Sequence, residues 1–193
     1  MVMVQPQLSA VDWTRAALEA WGEGGLSAVA VQPLAARLGV TKGSFYWHFA
    51  NRDALISAAL ELWEQTTTEN TIALLEAEPD PVVRLRLLFA RVSYSAAQYQ
   101  VEIGVRGASG NEVVAAVLRR VEERRLSYTI GLFEQIGFSP SESARRGMLG
   151  YTAYVGHSEM AARLPELLPM ERAGGLSSYV ETVLGLLLSD RPR

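Results

Sequence analysis

The sequence predicts an all-α protein, with a small three-helix unit at the N-terminus followed by a larger helical domain, about nine helices in all. Three observations carry this. Apolar residues recur at helical spacing from Ala17 to Leu188, and no segment alternates apolar and polar residues as a half-buried strand would. Helix-start residues stand ahead of those runs at Ser9, Thr41, Asn51 and Ser139. Helix stops follow them at Gly39, at the Pro-Asp-Pro of 79–81 and at Gly137.

In chain order, Ser9 opens the first helix, with Asp12 placed to complete a capping box, and glycines between Gly22 and Gly25 end it. Ala17 and Trp21, at i and i+4, give it one apolar face. Leu34, Ala35 and Leu38 do the same for a second helix, and Gly39 supplies the positive φ through which it exits. Pro33 costs little in that helix's first turn, where its missing amide would lack a partner. Thr41 is an N-cap for a third short helix with Phe45 and Phe49 on its inner side. Asn51 caps a long helix reaching toward Leu75, with Asp53 near its positive end and Leu55, Leu62 and Trp63 inward.

Pro81 suits the first turn of the next helix, which carries Val83, Leu87 and Phe89 toward Tyr94. Gly104, Gly107 and Gly110 mark Tyr99 to Asn111 as a looser connector. Val114, Leu118, Val121, Leu132 and Ile136 line a long amphipathic helix up to Gly137. Ser-Pro-Ser-Glu at 139–142 then starts a helix with Met148, Tyr151, Val155 and Ala162 on one side, ending before Leu164 to Pro169. The last helix, Leu176 to Leu188, exposes more apolar surface than one small subunit hides easily.

Composition narrows the chemistry. The chain has no cysteine, which excludes disulfides, thiolate metal sites and a cysteine nucleophile, and its two histidines, His48 and His157, make a histidine-based metal site a poor expectation. No apolar run is long enough for a membrane span and the first residues lack a secretion signal, so the expected place is the cytoplasm, without a membrane partner. Net charge is −3, yet from Val31 to Arg52 the chain carries Arg37, Lys42 and Arg52 with no acid, and Lys42 is its only lysine.

Helix, Gly-centred turn, short helix and a further helix, in that order, are the parts of a helix-turn-helix DNA reader over about 31–48. A short helix that shows Tyr46, Trp47 and His48 outward needs a reason other than solubility. GVTKGSFYWHFANRDAL, residues 39–55, resembles the signature of the tetracycline-repressor (TetR) family of bacterial transcriptional regulators, and the preceding residues 16–38 resemble that family's first two helices. The resemblance implies a DNA-binding domain over 1–52 and an effector-binding and dimerisation domain over 53–193. By chemistry, Lys42 can donate to guanine or phosphate, Ser44 can reach a base edge or phosphate, and Thr41 can offer its hydroxyl to the DNA backbone. By resemblance, Tyr46 contacts phosphate, Trp47 and His48 touch sugar-phosphate, and Arg52 clamps a phosphate. Ala30 departs from the pattern, because Ser or Thr usually caps the second helix there.

The family also implies a homodimer held by a four-helix bundle from the last two long helices, a double-stranded operator, and a small-molecule effector that moves the fourth helix, here Asn51 to Leu75, as a lever. Candidate interface residues are Gly147, Gly150, Ala153 and Ala161, small enough for close helix approach, and Val180, Val183, Leu184 and Leu187 on the last helix. Candidate pocket residues are Trp63, Phe89, Tyr94, Tyr128 and Met148, together with Tyr151, Tyr154 and His157, which suit a hydrophobic or amphipathic effector; His157 is an equal candidate for a bond across the dimer. Arg106 is the candidate for an ion pair to the lever. No catalytic residue, metal or cofactor is expected: GASGN at 107–111 and GHSEM at 156–160 lack a nucleophile elbow's final glycine, and GEGGLS at 22–27 lacks the third glycine of a dinucleotide loop. The alternatives are a regulator of the same fold controlled by a protein or by nothing, and an all-helical small-molecule binder or enzyme.

Overall fold

A computed structural model describes residues 8–93, 96–168 and 175–191. Among these every regular element is helical: α1 (Ala10–Gly24), α2 (Val31–Arg37), α3 (Lys42–Phe45), α4 (Arg52–Glu64), α5 (Asn70–Leu75), α6 (Pro81–Ser93), α7 (Ala96–Gly107), α8 (Glu112–Ile136), α9 (Pro140–Arg163) and α10 (Gly175–Leu187). A π turn, Gln65–Glu69, joins α4 to α5 while the backbone keeps helical angles, so one rod runs from Arg52 to Leu75. Counting that rod once, the described residues hold the nine helices expected.

The strong caps form. Ser9 N donates to Asp12 Oδ2 at 2.8 Å and Asp12 N to Ser9 Oγ at 3.4 Å; Asn51 Oδ1 accepts from Ala54 N at 2.9 Å and Ser139 Oγ from Glu142 N at 3.3 Å. Gly39 and Gly137 take positive φ of 69° and 105° at the two helix exits. Thr41 and Ala30 occupy N-cap positions without a side-chain capping bond, so α2 and α3 are held by packing instead. Phe45, fully buried, meets Trp13 edge-on at 5.3 Å and stacks on Phe49 at 5.6 Å.

Two expectations are corrected. The looser connector over Tyr99 to Asn111 is largely helix α7, because its central glycine serves packing rather than a turn. A Cβ on Gly104 would stand 2.9 Å from the Trp21 carbonyl oxygen, so glycine's helix penalty of about 0.5–1 kcal/mol is offset by the close seating of α7 on α1. Leu87 points outward, and Leu85, Leu88 and Phe89 form the inner face of α6.

Two apolar cores result. Trp13, Trp21, Phe45, Leu55 and Trp63 pack with Val105, Val114 and Val121. Leu85, Phe89, Leu132, Phe133, Val180 and Leu184 form the other. The first runs straight across residue 52, so the N-terminal unit and the helices behind it share one interior.

Candidate nucleic-acid interface and internal cavity

Phe45 fixes α3 against the core and thereby decides what its outer side shows. Backbone bonds from Tyr46, Trp47 and His48 N to the carbonyls three residues back, at 3.2, 3.3 and 2.9 Å, carry the winding past the last α-helical residue. Thr41, Lys42, Tyr46 and Trp47 are exposed on this edge, Tyr46 by 55% and Trp47 by 87%, while Ser44 and His48 are half-buried beside them. The Trp47 indole is thus left almost wholly in water at the edge of a well-packed domain. Arg52 behaves otherwise. Its Nε donates to Val29 O at 2.5 Å and its Nη2 to Leu26 O at 2.6 Å, so it ties the α1–α2 connection to the start of α4. Two of its nitrogens thus serve backbone carbonyls, a structural role beside the phosphate contact expected of Arg52.

Behind the reading unit lies a cavity of about 550 Å³, its open mouth included. The π turn and α5 line it with Thr67, Thr68, Thr71 and Ile72, and α6 adds Leu88 and Phe89. The α8 wall presents Arg125, Tyr128 and Thr129, and the α9 wall Gly150, Tyr151 and Tyr154. Burial pushes the Tyr128 hydroxyl up to about 12 and raises that of Tyr154, so both phenols stay neutral at physiological pH. π turns inside α-helices recur at functional sites, and this one is a cavity wall.

Of the eight pocket candidates, Phe89, Tyr128, Tyr151 and Tyr154 line this cavity, and His157 lines a smaller space next to it. Trp63 is in the first core, its Nε1 donating to Glu102 Oε1 at 3.1 Å. Met148 is on the surface, 48% exposed, because α9 turns its other side to the cavity. Tyr94 lies outside the described residues.

The ion pair expected between Arg106 and the long rod does not form. Arg106 pairs with Glu122 at 3.0 Å and with Glu102 at 3.6 Å, away from the long rod. Arg125 reaches the rod instead. Its Nε donates to Thr68 Oγ1 at 2.8 Å and its Nη2 to Thr67 Oγ1 at 2.7 Å, while Nη1 and Nη2 also hold the fully buried Glu102 at 3.0 and 2.9 Å. Arg120 and Arg124, on the same helix, pair with Glu64 and Glu69 at either end of the π turn. One α8 face thus grips the rod at its irregular point. Neither Arg125 nor Glu102 stood out in the sequence; the one available signal was Arg120, Arg124 and Arg125 falling at i, i+4 and i+5 of a helix beside an acidic one.

The interface candidates are redistributed as well. A Cβ on Gly147 would stand 2.5 Å from Ile130 Cγ1, and one on Gly150 3.0 Å from Phe89 Cζ, so both glycines serve packing within the subunit. Val180, Leu184 and Leu187 are buried in the second core, and Ala153, Ala161 and Val183 are half-buried. The outward stripe of α9 is Leu149, Thr152, Gly156 and Met160, with Leu186 exposed on α10.

His157 is buried and its imidazole is held below the ordinary 6.5 by burial. Below pH 6.5 the unfolded chain therefore takes up a proton that the folded one refuses, and stability present above that pH is lost as the pH falls toward the lowered value. Urea midpoints measured at pH 7.5 and 5.5 should differ less in His157→Gln than in the unaltered chain.

Among the described residues no three His, Asp or Glu side chains cluster as a metal site, and no helix is long and apolar enough to cross a membrane. No curated protein matches the chain. Residues 14–59 match the family model of bacterial regulatory proteins, tetR family. Among solved structures, a transcriptional regulator from Rhodococcus sp. Rha1 superposes with a TM-score of 0.77 at 20% identity, over 95% of this chain and 98% of that one. A TetR-family transcriptional regulator from Streptomyces coelicolor gives 0.74 at 18% identity, over 95% and 89%. The transcriptional regulator FadR from Bacillus subtilis, in complex with stearoyl-CoA, gives 0.64 at 16% identity, over 93% and 97%. Residues 14–59 thus match the N-terminal unit of tetR-family regulatory proteins, and the chain shares the all-helical fold of such transcriptional regulators over nearly its whole length.

Proposed function

We propose that this protein is a sequence-specific transcription regulator, acting as a repressor, that holds a palindromic operator as a homodimer and leaves it when a hydrophobic or amphipathic small molecule fills the cavity. The observation that carries the reading is the exposed edge of Lys42, Tyr46 and Trp47 on a helix anchored by buried Phe45. Lys42 is a point charge for a phosphate or a guanine edge, and Tyr46 and Trp47 offer a hydroxyl and an indole N–H to the sugar-phosphate chain.

Two such edges must meet successive major grooves roughly 34 Å apart, which requires a second copy. The stripe of Leu149, Gly156 and Met160 on α9 with Leu186 on α10 is the apolar face available for it. In Leu149→Arg, sedimentation should find monomers where the unaltered chain gives dimers, and operator affinity should fall more than tenfold.

Release follows from linkage. The rod that begins the cavity wall at its π turn also begins, at Arg52, next to the reading unit. A ligand that displaces Arg125 from Thr67 and Thr68 alters the turn and swings the rod. Preference for the released arrangement by about 1–3 kcal/mol would loosen operator binding about 5- to 150-fold. The stearoyl-CoA held by FadR supports a hydrophobic occupant for a cavity with so apolar a lining.

Selection from random double-stranded DNA should enrich a two-fold symmetric site. Lys42→Ala and Tyr46→Ala should each weaken binding to it by at least tenfold, with the slope of log affinity on log salt falling by about 1 in Lys42→Ala. An unenriched pool would refute the reading.

A further inference from the structure

A second, smaller lobe of space adjoins the cavity. Ala153, His157, Tyr179, Val180 and Val183 border a space of about 260 Å³, its open mouth included, beside the larger one, and Phe89 and Tyr154 line both. His157 is 7% exposed on the wall of this lobe, and neither of its ring nitrogens has a hydrogen-bond partner among the described residues. Its ring lies flat on Tyr179 at 5.4 Å and meets Tyr99 edge-on at 5.8 Å, contacts that hold the ring without engaging its nitrogens. Buried polar side chains are almost always bonded, so an exception on a cavity wall points to something that arrives to satisfy it.

The charges around the larger lobe decide what that can be. Glu102 faces Arg125 and Arg106, and Glu122 faces Arg106 and the Tyr151 hydroxyl, so two carboxylates balance two guanidiniums. An anionic head would have to compete with the buried Glu102 for Arg125, and a cationic head would meet Arg125 itself. Apart from Arg125, the threonines and the three tyrosines of the lining add only neutral hydroxyls to walls otherwise formed by Ile72, Leu88, Phe89 and Gly150.

We infer that the two lobes take one neutral, elongated, mainly apolar molecule ending in a hydroxyl or carbonyl group, its body in the larger lobe and its polar end hydrogen-bonded to His157. The inference rests on the effector reading above and narrows it to a chemical class. A neutral imidazole has one N–H to donate and one lone pair to accept with, so a hydroxyl can use either nitrogen and a carbonyl only the donor. Burial favours that neutral form.

The test is calorimetric titration of the full chain, without DNA, at pH 7.5 with 1-decanol, 2-decanone and decanoate. One molecule of 1-decanol or 2-decanone per chain should bind at least tenfold more tightly than decanoate. His157→Phe, which keeps an aromatic ring but has no polar atom, should weaken 1-decanol by about five- to tenfold, and His157→Gln, which keeps a donor and an acceptor, by no more than about twofold. If the Phe variant fails to match the unaltered chain's circular dichroism, Ala153→Leu narrows the same lobe from α9 and should give the same weakening. Decanoate binding as tightly as 1-decanol, undiminished 1-decanol binding in the variant that folds, or no binding of any of the three overturns the inference. Because no DNA is present, the two readings fail separately: an operator found with no probe bound removes this inference alone, and probes bound with no operator found remove the regulator reading alone.

Discussion

Arg125→Ala should lower folding stability by about 3–5 kcal/mol, read as a large drop in the urea midpoint. The substitution removes the bidentate partner from a carboxylate with no solvent access: among the described residues Glu102 keeps the Trp63 indole at 3.1 Å and Arg106 at 3.6 Å. It also strips two hydroxyls of the π turn of the donor that bridges them and takes a guanidinium off the Trp63 ring, 5.1 Å from its centroid. Removing both charges should be far gentler, because a buried ion pair is poor evidence of net stabilisation. The double variant Arg125→Leu, Glu102→Leu should recover most of the loss. A double variant as unstable as the single one would show that packing, not the stranded carboxylate, sets the cost. In whichever variant folds, ligand and operator affinities should no longer depend on one another.

Gly147→Ala is expected to cost about 1–3 kcal/mol, the range for forcing an extra methyl into a full core. The new Cβ would meet Ile130 Cγ1 at 2.5 Å, and the Ile130 backbone Cα and N, both at 3.2 Å, leave little room for α8 to yield. Gly131→Ala is the control, since nothing lies within 4 Å of its added carbon and alanine favours the helix. The urea midpoint should fall in the first variant and hold or rise in the second. Dimer dissociation should be unchanged by Gly147→Ala, because that glycine faces its own subunit.

What the sequence disclosed and what it withheld divide along a physical line. Ser9, Asn51, Ser139 and Gly137 act on their own few neighbours, so the helices they start or stop were legible. The exposed edge of Lys42, Tyr46 and Trp47 was legible for the same reason, being a contiguous stretch. Gly104 misled, because a glycine that lets a distant helix approach is spelled like one that turns the chain, and Gly147 and Gly150 because a glycine that admits a helix of its own subunit is spelled like one that admits a partner's. Trp63 and Met148 failed as pocket residues because the rotation of a helix about its axis is set by its neighbours. Arg125 was overlooked among many arginines, as its meaning depends on Glu102 and Thr68, far away in the chain.

The shared interior of Trp13, Trp21 and Phe45 with Val105, Val114 and Val121 bears on engineering. A fragment cut after residue 52 would carry its tryptophans into water, so the reading head is not a cassette to be lifted onto another sensor. A working chimera must bring the α1-facing surface of α7, Gly104 and Val105 above all, as part of the graft. Conversely, a library that varies only the exposed edge at Lys42, Tyr46 and Trp47 leaves this interior untouched, and is the economical route to altered operator preference.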